Sequence, residues 1–164
     1  MTATELDTPI GKMVLAATEA ALTGAWFVGQ RFFGANYDMT PGDNEALRQT
    51  KGWLTAYFSG NKPDPRALPL APVGSDFRHK VWDILLEIPY GQTVTYGNIA
   101  KELERRYGVR VSAQAVGGAV GHNPISIIVP CHRVLGSGGA LTGYAGGIEK
   151  KQWLLELESG FAAR

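Results

Sequence analysis

The sequence predicts an α+β fold, a small sheet followed by helices, on three observations. Residues 12 to 28 alternate weakly and are rich in Val, Leu, Ala and Phe, with Gly11 and Gly24 as breaks, the pattern of two or three antiparallel strands. The stretch from Asn61 to Pro72 carries four prolines, which forbid regular helix and favour an extended path. Beyond it, apolar residues recur at helical spacing behind residues that cap helices. The expected organisation is an N-terminal unit over 1–72, proline-rich linker included, and a C-terminal unit over 73–164.

Taken in order, the elements have separate justifications. Asp43 can cap a helix that places Leu47, Trp53, Leu54, Tyr57 and Phe58 on one broad face, and Gly60 can end it. That helix would cover the sheet. After the linker, Ser75 or Asp76 starts a helix with Phe77, Val81, Ile84, Leu85 and Ile88 at helical spacing, and Pro89-Tyr90-Gly91 turns the chain. Thr95 can cap a third helix carrying Ile99, Ala100 and Leu103, which Gly108 ends; Ser112 can cap a fourth through Val120. Two short helices joined by a turn suggest a helix-turn-helix. The last contains Gly117 and Gly118, each costing about 1 kcal/mol relative to Ala, so close backbone approach is expected there. Tight packing between helices inside the protein and an external partner both satisfy that requirement.

Composition sets broad limits. With 45% hydrophobic and 19% charged residues over 164 positions the chain is globular, and no basic-then-apolar leader or bilayer-length apolar run is present, which points to the cytoplasm and away from a membrane. A net charge of +1 does not announce a nucleic-acid binder. Locally, Lys101, Arg105, Arg106, Arg110 and Arg133 outnumber Glu102 and Glu104, which fits a solvated helix face as well as a phosphate-contacting one.

The most informative residue is Cys131, the chain's single cysteine, in the run Ile127-Ile128-Val129-Pro130-Cys131-His132-Arg133-Val134. It cannot form an internal disulfide and offers a metal one soft ligand. Buried filler and nucleophile remain. Pro130 interrupts a sheet ladder, and Gly136-Ser137-Gly138-Gly139 opens a loop just downstream, so a pocket could reach the thiol.

Pro-Cys-His-Arg-Val, preceded by Asn123-Pro124 and followed by Thr142-Gly143-Tyr144-Ala145-Gly146-Gly147, resembles the active-site region of the O6-alkylguanine-DNA alkyltransferases. The likeness is strong from Phe77 to Glu158 and weaker over the first seventy or so residues. It implies an N-terminal ribonuclease-H-like sheet-plus-helix domain without the nuclease's carboxylates, and a C-terminal winged-helix-like helix-turn-helix domain. It further implies a single, irreversible transfer of an alkyl group from O6-alkylguanine, and from O4-alkylthymine, to Cys131, with no cofactor. The partner would be double-stranded DNA, bound through its minor groove by a monomer, with cooperativity along DNA left open.

By the same resemblance, His132 is the base acting on Cys131 through a bridging water, and Glu158 orients its imidazole, with Glu156 the nearest competitor. Neighbours in an extended chain face opposite ways, so this requires a bend after Pro130. Tyr96 would rotate a phosphate and donate its hydroxyl proton to the flipped purine. Asn123 would join the recognition helix to the active-site turn. Tyr144 would stack on the base, the Ala145 N–H would point at O6, and the carbonyls of Cys131 and Val134 would accept from the exocyclic amine. Arg133 would be structural, bonding within the helix-turn-helix, while Gly117, Gly118 and Ala115 let the helix approach the groove.

Two departures stand out. Where many members carry an arginine that enters the duplex, this chain has Gln114, which predicts weaker duplex binding, partly compensated by Arg110. The connection from Glu104 to Val111 is longer and more basic, either a phosphate-contacting wing or a longer turn. Zinc is not expected, because only His79 and His122 remain besides His132 once Cys131 is committed. Competing readings are a lesion-binding protein that lacks the nucleophile, a helix-turn-helix regulator and a cysteine hydrolase.

Overall fold

The computed structural model describes residues 1–34 and 37–160. Strands β1 (Thr2–Thr8), β2 (Gly11–Ala17), β3 (Leu22–Phe27) and β4 (Thr40–Pro41) form a sheet in the order β3-β2-β1-β4. β1 and β2 pair antiparallel from Thr2 opposite Ala17 to Thr8 opposite Gly11, and β2 pairs antiparallel with β3. The alternation read from residues 12 to 28 marks β2 and β3 and misses β1. Leu6 is the one large apolar residue in β1, and none of its residues is fully buried. Cross-strand pairing with β2 holds it in place of a hydrophobic face.

Helix α1 (Glu45–Phe58) lies on the sheet, burying Leu47, Trp53, Leu54 and Tyr57 at roughly 1.5–3 kcal/mol for each large side chain. Its cap is Asn44, not Asp43. Asn44 Oδ1 accepts from the Leu47 N–H at 2.9 Å while Nδ2 donates to the Thr18 carbonyl at 3.3 Å, tying the helix start to the β2–β3 turn. Asp43 pairs with Arg48 instead.

The proline-rich stretch is extended but fastened down. The Leu22 N–H donates to the Pro69 carbonyl and Ala71 N–H to the Leu22 carbonyl, so residues 69–71 run along the edge of β3. Further along that edge, Ala25 N–H donates to Pro124 and Ser126 N–H to Ala25. β3 thus holds the segment leading to the catalytic candidate as well as the linker. One apolar cluster runs from Met13 and Leu47 through Trp82 and Ile99 to Val116 and Leu154.

Helices α2 (Asp76–Leu85), α3 (Tyr96–Tyr107) and α4 (Ala113–Gly121) begin at Ser75, Thr95 and Ser112, each accepting from a backbone N–H three residues on. Gly108 ends α3 at φ 66, a left-handed conformation that costs glycine little. Glu104 to Tyr107 are therefore the last turn of α3, and Gly108 to Val111 connect the two helices. Arg105 and Arg106 on that turn pair with Glu102, and Arg106 also with Glu87. β5 (Val94–Thr95) pairs in parallel with β6 (Val134–Leu135), and α5 (Ile148–Glu158) closes the described chain's secondary structure.

Candidate active site

Three bends deliver Cys131. Ile128 N–H donates to the Ser126 carbonyl across Ile127, whose φ of 72 makes a tight γ-turn. A β-branched residue in that region is strained, by an order of 1–3 kcal/mol. The Asn123 side chain steadies the turn: Nδ2 donates to the carbonyls of Ile125 at 3.2 Å and Val129 at 2.8 Å, and Oδ1 accepts from Ile125 N–H. Pro130, at φ −82 and ψ 66, then forms an inverse γ-turn closed by Cys131 N–H on the Val129 carbonyl. Cys131–Arg133 follow as a single 3-10 turn. This is the bend that an extended chain could not supply.

On the protein side of the turn, Glu158 collects donors only. His132 Nε2 lies 2.6 Å and the Tyr57 hydroxyl 2.7 Å from Oε2, while Arg133 Nε lies 2.7 Å and Gly91 N–H 3.3 Å from Oε1. Burial disfavours its charge, but hydrogen bonds from His132 and Arg133 prevail and hold it well below the ordinary 4.5. An ionised carboxylate can only accept, so Nε2 of His132 carries the hydrogen and Nδ1 presents a lone pair. Nδ1 is buried and has no protein partner among the described residues. Burial pushes His132 below its ordinary 6.5 against the pull of Glu158. Glu156, by contrast, is exposed and bonds to Gln152.

Arg133 does not bond within the helix-turn-helix. Its guanidinium grips Glu158 and, through Nη1, the Ile88 carbonyl at 2.7 Å beyond the end of α2. Glu158 and the Ile88 carbonyl lie within its reach and take its donors. Tyr57 went unassigned in the sequence because its place on the apolar face of α1 accounts for the ring and says nothing about the hydroxyl.

On its other side Cys131, 7% exposed, lines a cavity of about 280 Å³ with Tyr96, Gly117, Asn123, Tyr144 and Ala145. Burial pushes the thiol above its ordinary 9.0, offset in part by Asn123. Tyr96 is half-buried and its hydroxyl reaches the Thr142 carbonyl at 3.4 Å; burial and the nearby Cys131 raise it, so it keeps its proton at neutral pH. The Tyr144 hydroxyl is buried without a partner among the described residues.

Lys151, fully buried, is a second residue the sequence reading passed over. Its Nζ donates to the carbonyls of Val134, Thr142 and Gly143, so one ammonium clamps the glycine-rich loop onto the active-site turn. Burial lowers it to about 8. Val134 is buried and outside the cavity lining, its carbonyl taken by Lys151, and the Cys131 carbonyl accepts from Val134 N–H. Each oxygen retains a second lone pair.

Comparison with known proteins decides what this arrangement belongs to. A model of the 6-O-methylguanine DNA methyltransferase ribonuclease-like domain matches residues 1–72, and one of the DNA binding domain of the same family matches residues 76–160. The chain belongs to the 6-O-methylguanine DNA methyltransferase family. It is 45% identical over 157 residues to a methylated-DNA–protein-cysteine methyltransferase of Mycobacterium tuberculosis, covering 96% of this chain and 92% of the relative. A namesake from Methanosarcina acetivorans is 43% identical over 152 residues, covering 93% and 94%. Among solved structures, Mycobacterium tuberculosis OGT in complex with DNA superposes with a TM-score of 0.82 at 42% identity, covering 99% of this chain and 95% of that one.

In this methyltransferase-family chain, α4 lies open on one face. A Cβ added at Gly118 would meet nothing within 4 Å, and one at Gly117 would reach the Tyr96 ring at 3.9 Å. Neither glycine is therefore needed for tight helix packing inside the protein. Gln114 and Ala115 are exposed on the first turn of α4, and Arg110 is exposed just before it without an ion pair among the described residues.

Proposed function

We propose that this chain repairs O6-alkylguanine in DNA by moving the alkyl group once, and irreversibly, onto Cys131. The observation that supports the reading is a buried thiol that lines a cavity with Tyr96 and Tyr144 and is followed in the chain by His132, whose Nε2 is held by Glu158 and whose Nδ1 has no partner among the described residues.

The thiol proton passes to Nδ1 through a bridging water, and the resulting thiolate attacks the alkyl carbon. The new S–C bond forms as the C–O6 bond breaks, and the electron pair returns to the purine. Tyr96 donates its hydroxyl hydrogen to the base as that charge develops, while the Ala145 N–H faces O6. Solvent exchange restores the tyrosine proton, and the thioether has no route back to thiol. No cofactor enters the step. Glu158 and Arg133 act as positioning residues, because they touch His132 and the backbone rather than the base.

For the thiol to be reached, the base must leave the stack, at a cost of a few kcal/mol that is least for a weakly paired lesion. The bare backbone at Gly117 and Gly118 and the small Ala115 suit a helix laid into the minor groove, with Gln114 filling the space the base vacates and Arg110 near a phosphate. A monomer suffices for all of these contacts. O4-alkylthymine offers the same exocyclic alkyl oxygen and is accepted on the same chemistry.

The test is a titration of a duplex containing O6-methylguanine. Lesions removed should rise with protein and stop at one per molecule; continued turnover would support a hydrolase, and binding without removal a lesion sensor.

A further inference from the structure

The cavity that holds Cys131 has a wall from the other half of the chain. Beyond β3, Arg31 and Phe32 both line it, although the remaining lining residues come from α3, α4 and the loops around Cys131. The turn that carries them is built in. Phe27 N–H donates to Gln30 Oε1 at 2.8 Å, and Arg31 N–H donates to the Ala145 carbonyl at 3.2 Å, which joins the turn to the glycine-rich loop. Phe32 sits at φ 62, a conformation rare for a bulky residue, and leaves its ring 38% exposed.

That ring is not idle. It stacks on His122 with centroids 4.0 Å apart and planes 23° apart, and the Arg31 guanidinium carbon stands 4.8 Å over it. Phe32 is thus in contact with both groups. His122 is itself fixed at the end of α4, its Nδ1 donating to the Gly118 carbonyl at 2.7 Å. The stack therefore runs from the open helix to a guanidinium at the cavity's rim. Arg31 has no carboxylate partner among the described residues, in contrast to Arg48, Arg105, Arg106 and Arg133. An aromatic face orients a guanidinium and leaves its N–H edge available, the edge that suits phosphate oxygens.

We propose that Arg31, held by Phe32 on His122, binds a phosphate of the nucleotide whose base enters the cavity. The N-terminal half then contributes directly to DNA binding and adds a positive charge at the end of α4 opposite Gln114. This rests on the cavity being the alkylguanine pocket.

The test compares two substrates with wild type, Arg31→Ala, Arg31→Lys and Phe32→Ala: an oligonucleotide containing O6-methylguanine, and the free base, which has no phosphate. Methyl transfer to Cys131 is followed by mass spectrometry and duplex affinity as a function of salt. For Arg31→Ala the ratio of oligonucleotide to free-base transfer rates should fall about tenfold, as for loss of one charge-assisted contact, and the salt slope should drop by about one. Arg31→Lys should keep the slope, and Phe32→Ala should lose part of the rate ratio. An unchanged ratio and slope in Arg31→Ala, or an equal loss toward both substrates, would overturn the proposal. If wild type transfers from neither substrate, the reading of the pocket itself fails, independently of Arg31.

Discussion

The two sides of Cys131 are built on opposite principles. Toward the protein, Glu158 is bound by His132, Arg133, Tyr57 and Gly91, groups from three separate segments of the chain, and Lys151 clamps three carbonyls of the loop and turn. Toward the cavity and α4 the ties are fewer: the Tyr96 hydroxyl reaches the Thr142 carbonyl at 3.4 Å, the Tyr144 hydroxyl has no hydrogen-bond partner among the described residues, and Gln114 and Arg110 face solvent. One side is over-determined so that the thiol, base and strained turn stay in register. The other is open, as the proposed entry of a nucleotide requires.

The largest effect should come from breaking the over-determined side. Glu158→Ala leaves Arg133 and His132 buried without their partner, a loss of about 3–5 kcal/mol that lowers Tm by roughly 10 °C. Methyl transfer by whatever folded protein remains should fall at least about a hundredfold. Near-wild-type melting with a normal rate would erase the contrast between the two sides.

The same side should set the acid limit of stability. Glu158 is held below 4.5 and His132 below 6.5 in the fold, so both bind protons more readily in the unfolded chain. Their contributions are complete above those ordinary values. As pH falls, His132's is lost below about 6.5 and Glu158's below about 4.5, so Tm should drop progressively from about pH 6.5 downward. Thermal melts of wild type and Glu158→Gln across that range check the sign, since the variant should lose the lower part of the dependence.

A smaller effect tests whether the N-terminal half reaches the site. Tyr57→Phe removes a hydrogen bond to a charged group and should cost about 1.5–3 kcal/mol in denaturant unfolding, with transfer slowed less than by Glu158→Ala. No change in stability would mean that Arg133, His132 and Gly91 hold the carboxylate without it.

The smallest change in the free protein should come from the open side. Gly118→Ala adds a methyl group where nothing stands within 4 Å, so the helix should gain up to about 1 kcal/mol. Duplex affinity, measured by fluorescence anisotropy, should nevertheless fall. A gain in stability with unchanged affinity would remove α4 from the DNA interface.

The contrast also explains what could be read from the chain alone. Ser75, Thr95, Ser112 and Gly108 act within a few residues of themselves, so their helix ends were legible. Asn44 prevailed over Asp43 because it also meets Thr18, a contact the local pattern does not contain. β1 was missed because it carries one large apolar residue and takes its shape from β2. At the site, motif order exposed Cys131, His132 and Glu158. Tyr57 and Lys151 were hidden because ordinary roles already explained them: Tyr57 bonds a residue 101 positions away, and Lys151 looks like any helix-surface lysine until its carbonyl partners are seen. Arg133 bonds Glu158 and the Ile88 carbonyl rather than the helix-turn-helix, and Ile88 lies 45 positions from it, beyond any local pattern.

Everything above turns on Cys131 itself taking the alkyl group. Intact-mass and peptide mass spectrometry after mixing the protein with a duplex containing O6-methylguanine, with Cys131→Ser as control, tests it most directly. One methyl group per molecule should appear on the Cys131 peptide and none on the control. Repair of the base with no mass gain on that peptide, or equal gain in the control, would contradict it.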